Sequence, residues 1–421
     1  MEEYLKILLE QVRCKKAHPY IADEMRGHIE DQAEANVAAG MSQEEAVQEA
    51  VRDMGSPIEV GISLDQIHRP QIAWDMIALM AVISIIGIVV HALIGNKAND
   101  RNDFALYTIV GFLVMIIVYR MDYSFIGKHS RLIAGLFLGV LVLAIKITDY
   151  RVPSTSFMLL YPILFGAVLY QYYGSGIGGI LKSLLWMLLP VFLILQAPSK
   201  STAILLFFSM AIVLTLAVCK GWFRVSKKIF FIVFWGIITL APVLMITGAF
   251  GLHWLETYQT IRLQAFFSGS ENQNYITNIL RSSLSDSQFI GGSGKATIGN
   301  LSEFKSNYIL SYVTASYGIV ASVCVCAILT WLTVKIFHIS IKQKNQLGLM
   351  MGCGCGVVFF SNIAINILEN IGLLPVSQTF LPFFSSGGSN IVVCYVMIGI
   401  ILSIYRYKSI VPTHVNTCKT V

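Results

Sequence analysis

Glu369 lies inside an apolar run that meets Gly372-Leu373-Leu374-Pro375 a few residues later. A carboxylate at membrane depth is costly unless it is paired or used. Glu369 therefore marks either the edge of a functional cavity or a cap facing lipid headgroups. The stretch around it, Asn366 to Ser389, ends in Pro382-Phe383-Phe384-Ser385-Ser386-Gly387-Gly388-Ser389. Two prolines, paired glycines and a cluster of hydroxyls do not suit a bilayer helix. Non-helical backbone survives at that depth where it is buried in protein or lines a wet cavity. The stretch reads as a re-entrant or interfacial loop bordering a functional cavity. A second polar stretch carries the cations Arg262, Arg281, Lys295 and Lys305 and a glycine-rich turn at Gly291-Gly292-Ser293-Gly294. Guanidinium grips phosphate bidentately and ammonium acts as a point charge, while the N–H groups of such a turn suit an anion. The plainer reading of each cation is a solvated or headgroup-facing side chain. Glu303 and Asn307 share one face if the next helix already winds there.

The elements that must position these residues are helices in lipid. The chain has 421 residues, 55% hydrophobic and 13% charged, with mean hydropathy +0.68. That composition describes an all-α, polytopic membrane protein. Ten spans fit, near 72–95, 104–119, 131–148, 156–173, 179–196, 202–219, 228–250, 307–336, 346–370 and 388–406. The net charge of +6 sits in short loops, which speaks for membrane orientation and against nucleic-acid binding. Arg120, Lys128, Arg131, Lys220, Arg224, Lys227, Lys228, Lys335, Lys342 and Lys344 fall on one side with Arg406 and Lys408. The positive-inside rule makes both termini cytoplasmic and puts the long 253–306 loop and the Asn366–Ser389 loop outside. No cleavable signal peptide is expected, since the first long apolar run begins after Pro70.

Residues 1–68 are polar and helical by pattern. Leu5, Leu8, Leu9 and Val12 form one stripe; Ile21, Met25, Ile29, Ala33 and Val37 form another. Ser42 to Glu45 reads as a capping box, and Gly55 and Pro57 as a stop. A small cytoplasmic three-helix domain is expected, with a docking or regulatory role, followed by a membrane domain over 69–410 and a tail over 411–421. The run Gly40 to Gly61 resembles the helical prefix domain ahead of some bacterial permeases. The eight cysteines include two C-x-C pairs inside apolar runs. Neighbours two apart point to different helix faces, so packing is the reading and no metal site is expected. His91 and His253, alone at span ends, read as structural.

The Asn366–Ser389 stretch closely resembles the signature of the SEDS family (FtsW, RodA, SpoVE), Asn…Gly-Leu-Leu-Pro-Val-Thr-Gly…Leu-Pro-Phe-x-Ser-x-Gly-Gly-Ser. The matching positions are Asn366, Gly372 to Val376, Leu381 to Phe383, Ser385 and Gly387 to Ser389. Ser377 replaces Thr and Gln378 replaces Gly. Ten spans with cytoplasmic ends and a large loop after the seventh also match the family plan. The resemblance implies a peptidoglycan glycosyltransferase of the bacterial cytoplasmic membrane that polymerises lipid II in division, elongation or sporulation. It also implies a single-span penicillin-binding transpeptidase as partner. A divalent cation near the pyrophosphate is compatible with that chemistry, though no ligand set is visible.

The resemblance extends to Arg262-Leu263-Gln264-Ala265-Phe266 and to Leu301 through Leu310. In that frame the position regarded as the family's catalytic Asp is Asn307. Glycosyl transfer needs a base for the attacking hydroxyl, usually a carboxylate. An amide positions groups but does not accept that proton at neutral pH. Glu303 is then a candidate replacement base, set against the ordinary reading of an exposed loop carboxylate. Arg262, Lys295, Lys305, Pro375, Ser385, Gly387, Gly388 and Ser389 are the candidate substrate-binding residues. The segment Gln196 to Thr202 lacks the family's Asp and Gly, and Phe157–Leu164 carries no Glu or Lys. Two other readings stay open: a SEDS pseudoenzyme acting as lipid II-binding scaffold, and a transporter of lipid-linked precursors.

Overall fold

The computed structural model describes residues 1–94, 98–148, 154–196, 200–246, 275–292, 298, 301, 304–377 and 379–408. The N-terminal unit holds four helices where the pattern indicates three: α1 Glu2–Gln11, α2 His18–Ala38, α3 Gln43–Asp53 and α4 Pro57–His68. The difference lies at Pro57, read as a stop. Proline in the first turn loses no intrahelical N–H bond, and here it starts α4. The capping box forms as expected, with Ser42 and Glu45 bonded reciprocally. Ile21, Met25, Ile29 and Ala33 recur every four residues on α2 and pack on Leu5 and Leu8. Gly61 admits α1: a Cβ there would stand 2.6 Å from the Leu8 carbonyl.

The membrane body follows as α5 Trp74–Ile94, α6 Ala98–Arg120, α7 Tyr123–Lys128, α8 Ser130–Thr148, α9 Ser154–Met158, α10 Tyr161–Tyr170, α11 Ile177–Leu195, α12 Lys200–Cys219 and α13 Lys227–Ile246. After the 253–274 segment, which lies outside the described residues, come α14 Tyr275–Ser285, α15 Ile309–Tyr317, α16 Ile319–Ile341, α17 Gln346–Asn370 and α18 Gly388–Arg406. Among the described residues eight helices are long and apolar enough to cross a membrane. The protein is an all-α, multi-pass membrane protein. Ile85, Leu93, Leu136, Leu181, Phe192 and Ile232 turn outward, which suits lipid where there is no water to expel them.

Two of the expected spans are broken. The fourth divides into α9 and α10, with Pro162 in the first turn of α10. The eighth divides into α15 and α16 at Gly318, whose φ is +93°. The break makes room for the chain that follows α14. Ile319 N donates to Gln288 O at 3.0 Å and Val320 N to Phe289 O at 3.2 Å. A Cβ on Gly318 would lie 2.7 Å from Phe289 O. The long connection thus carries a helix, α14, packed on α15.

Helix α17 is the centre of the body, buried along most of its length. Its glycines allow close neighbours: Gly354 lies against the Pro162 carbonyl and Gly352 against Ser340. Helices α6 and α18 pack along each other, with Gly111 under the Tyr395 ring and Gly399 against Val118. The N-terminal unit seats at one end of the bundle. Lys16 pairs with Asp122 at the N-cap of α7, and its ammonium lies 4.1 Å from the centre of the Tyr407 ring. Gln71 N donates to Arg406 O at 3.2 Å. The opposite end holds the polar cluster described next.

Candidate functional site

Asn362, Asn366 and Asn370 are spaced by four and line one face of α17. All three are buried. The Asn366 and Asn370 amides each donate to the Asn307 carbonyl, at 3.1 Å. Asn366 also donates to Thr379 O at 2.9 Å, and Asn370 to Asn366 O at 2.9 Å. The two amides therefore tie the 304–308 turn to the loop that follows α17. In hydrocarbon each unmade bond of this kind costs several kcal/mol, so the polar stripe and the two loops require one another.

The Pro382–Phe384 turn closes on the same segment. Ser385 Oγ accepts from Leu381 N at 2.7 Å and donates to Ser306 O at 2.5 Å. Ser386 N donates to Lys305 O at 2.8 Å. Phe383 holds φ = 65°, a conformation that side-chain-bearing residues rarely adopt. Its carbonyl faces Gly87 on α5, where a Cβ would come within 2.9 Å. His91 Nε2 donates to Phe384 O at 2.6 Å, and its ring stacks on Phe104 at 3.7 Å. Gly387 then starts α18 at φ = 149°, and Gly388 abuts the Tyr107 ring.

Glu369, one turn before Gly372, meets the same loop at Ser377 and Thr379. It is 1% exposed. Ser377 Oγ donates to one carboxylate oxygen and Thr379 Oγ1 to the other, the latter at 2.9 Å. Ser201, at the start of α12, donates to Ser377 O at 2.8 Å. Between α9, α12, α17 and α18 lies a cavity of about 210 Å³, lined by Ser156, Ser201, Thr202, Asn362, Thr379 and Asn390 among others. Ser156 donates to Asn390, and Ser389 lies 3.5 Å from Ser156.

The structure thus brings together Asn307, Lys305, Ser385, Gly387, Gly388 and Ser389. Pro375 stands in the loop between Gly372 and Val376, half-buried. Arg262, Lys295 and Glu303 lie outside the described residues. Arg281 serves the backbone, donating through Nη2 to Gly372 O at 2.6 Å and through Nε at 3.2 Å. Asn370, Ser311, Thr379 and Ser156 were not singled out by the sequence. The one signal for Asn370 is its spacing from Asn362 and Asn366 in an apolar run. Among the described residues no three His, Cys, Asp or Glu side chains converge. Among the described residues the cluster offers amides, hydroxyls and the single carboxylate of Glu369, which make no all-protein cage for a divalent cation.

The model of the FtsW/RodA/SpoVE family, described as cell cycle protein, matches residues 67–410. The peptidoglycan glycosyltransferase MrdB of Helicobacter pylori is 21% identical over 364 residues, covering 80% of this chain and 91% of its own. The probable peptidoglycan glycosyltransferase FtsW of Borreliella burgdorferi is 26% identical over 325 residues, covering 72% and 85%. Among solved structures, a chain of a peptidoglycan synthase complex that coordinates polymerization and crosslinking aligns with TM-score 0.65 and 17% identity, covering 80% of this chain and 98% of its own. The rod shape determining protein RodA of Thermus thermophilus aligns with TM-score 0.58 and 14% identity, covering 80% and 97%. These two likenesses concern the fold.

Proposed function

This chain belongs to the FtsW/RodA/SpoVE family of cell cycle proteins, and from that premise we propose that it polymerises glycan from lipid II in bacterial peptidoglycan synthesis. The observation that carries the reading is the meeting of two distant stretches in one buried cluster. The turn at Lys305–Asn307 is bonded to Ser385 and Ser386 and held from below by Asn366 and Asn370. Such a buried, hydrogen-bonded setting suits oriented donors acting on a leaving pyrophosphate. Arg262, Lys295 and Lys305 are the cations proposed for the phosphates, and the Pro375 and Ser385–Ser389 segments frame the substrate. We place both termini on the cytoplasmic side and the Asn307 cluster on the outer side. A penicillin-binding transpeptidase is the proposed partner, in keeping with a structural relative drawn from a peptidoglycan synthase complex.

A second reading has its own observation. Residue 307 is an amide, buried at 7% exposure, and an amide does not take a proton at neutral pH. A scaffold that binds lipid II or a synthase without polymerising would be built in this way. The test is polymer formation from lipid II by purified protein in liposomes, with a candidate transpeptidase present, beside Asn307→Asp and Glu303→Gln. Lipid II binding is scored in the same samples. Polymer from the unaltered protein supports the enzyme. Binding without polymer in the unaltered protein, even with the partner, overturns it in favour of the scaffold.

A further inference from the structure

We propose that Glu369, acting through the Thr379 hydroxyl, takes up the proton of the attacking sugar hydroxyl and so supplies the carboxylate that residue 307 lacks. The inference rests on the polymerase reading above. Three observations support it. First, Glu369 is the one buried carboxylate among the described residues of the membrane body. Second, among the described residues, hydroxyls and not cations hold it: Ser377 Oγ on one oxygen and Thr379 Oγ1 on the other. A lysine or arginine partner would hold the carboxylate as an ion. A hydroxyl partner can instead hand its proton over, provided it receives another. Third, Thr379 lines the polar cavity of about 210 Å³ beside Ser156, Ser201, Thr202, Asn362 and Asn390. Leu159, Leu205 and Phe380 complete the wall, and its hydroxyls and amides suit a sugar, whose own groups donate and accept in the same way.

The step balances as follows. The acceptor sugar oxygen forms a bond to the anomeric carbon of the donor sugar. The bond from that carbon to the pyrophosphate oxygen breaks, and its electron pair leaves with the lipid pyrophosphate. The hydroxyl proton passes to Thr379 Oγ1 while the proton of Thr379 passes to Glu369. Glu369 ends as a carboxylic acid and returns the proton to solvent. Thr379 meets the reacting hydroxyl; Glu369 is the residue positioned behind it.

The experiment uses the full-length protein in liposomes with lipid II and a transpeptidase partner. The variants are Glu369→Gln, Thr379→Val, Thr379→Ser and Glu303→Gln. The relay predicts that Glu369→Gln and Thr379→Val lower the polymerisation rate by about 10²-fold or more. Thr379→Ser keeps the rate, and lipid II binding is unchanged throughout. The unaltered protein should show a solvent deuterium isotope effect with a curved proton inventory, because two protons move together. A purely structural clamp would not give that curvature. Full activity in Glu369→Gln or Thr379→Val overturns the relay, as does loss of activity in Glu303→Gln alone. If Glu369→Gln fails to fold, the comparison of Thr379→Ser with Thr379→Val decides, and equal rates overturn the proposal. No polymer from the unaltered protein overturns the polymerase reading itself.

Discussion

Ser311 and Asn370, 59 residues apart in the chain, are joined by two hydrogen bonds and a further polar contact. Ser311 N and Oγ donate to Asn370 Oδ1 at 3.1 and 2.7 Å, and Ser311 Oγ also lies 3.1 Å from Asn370 O. The Asn370 amide nitrogen faces the other way, toward Asn307 O. One side chain thus joins the first turn of α15, the end of α17 and the 304–308 turn. Asn370→Ala leaves the buried Ser311 N–H without its partner and removes one of the two amides that hold Asn307 O. An orphaned buried donor costs about 1–3 kcal/mol, so a loss of about 2–3 kcal/mol is expected. Ser311→Ala removes less and should cost about 1 kcal/mol. Thermal unfolding in detergent checks both; equal shifts would mean that Asn370 is not the hub.

The glycines of the membrane body divide into two kinds. Gly354 on α17 faces backbone: an added Cβ would stand 2.7 Å from Pro162 O. Backbone in a packed bundle gives way poorly, and overpacking costs about 1–3 kcal/mol. Gly139 on α8 has nothing within 4 Å. Alanine there gains helix propensity of about 1 kcal/mol at most. Gly354→Ala should lower the melting temperature in detergent, and Gly139→Ala should leave it level or raise it.

The N-terminal unit is held to the bundle by a small charged contact. Lys16 pairs with Asp122, both partly exposed at 30% and 28% of their side chains, and packs over Tyr407. A pair this exposed contributes about 1 kcal/mol or less and weakens with salt. Lys16→Glu should speed hydrogen exchange in α1 and α2, and the double exchange Lys16→Asp with Asp122→Lys should restore it. Unchanged exchange in Lys16→Glu would mean that the apolar and backbone contacts suffice.

Within that unit, Arg13 binds Asp65 through Nε at 3.0 Å, Nη2 at 2.7 Å and its backbone N at 2.9 Å. The Arg13 side-chain hydrogen bonds, then its backbone N–H, hold the Asp65 carboxyl below the usual carboxylate range. A lowered folded value stabilises the unit above the unfolded value of about 3.9. That stability disappears as pH falls through the folded value. Arg13 is well exposed, so solvent screening keeps the gain small. Asp65→Asn should lower stability at neutral pH and flatten the acid limb, read by hydrogen exchange of α1 and α4 against pH.

Composition and apolar periodicity were enough to determine an all-α, multi-pass protein, because lipid permits few other ways to satisfy a backbone. Local chemistry was enough for the Ser42 capping box and for the irregular stretch after Pro375, since both depend on residues adjacent in the chain. The spacing of Asn366 and Asn370 was present in the sequence, but their common acceptor, Asn307 O, was not. The break at Gly318 was equally hidden: glycine tolerates the turn, but the Gln288–Phe289 backbone that fills the gap comes from another segment. Pro57 could end one helix or begin the next, and the packing of α4 on α1 decided it. Glu369 shows the limit most directly. Its position in an apolar run made it costly, and only the folded loop supplied Ser377 and Thr379 as its solvation. Partners distant in sequence become neighbours through packing, and no local pattern encodes that choice.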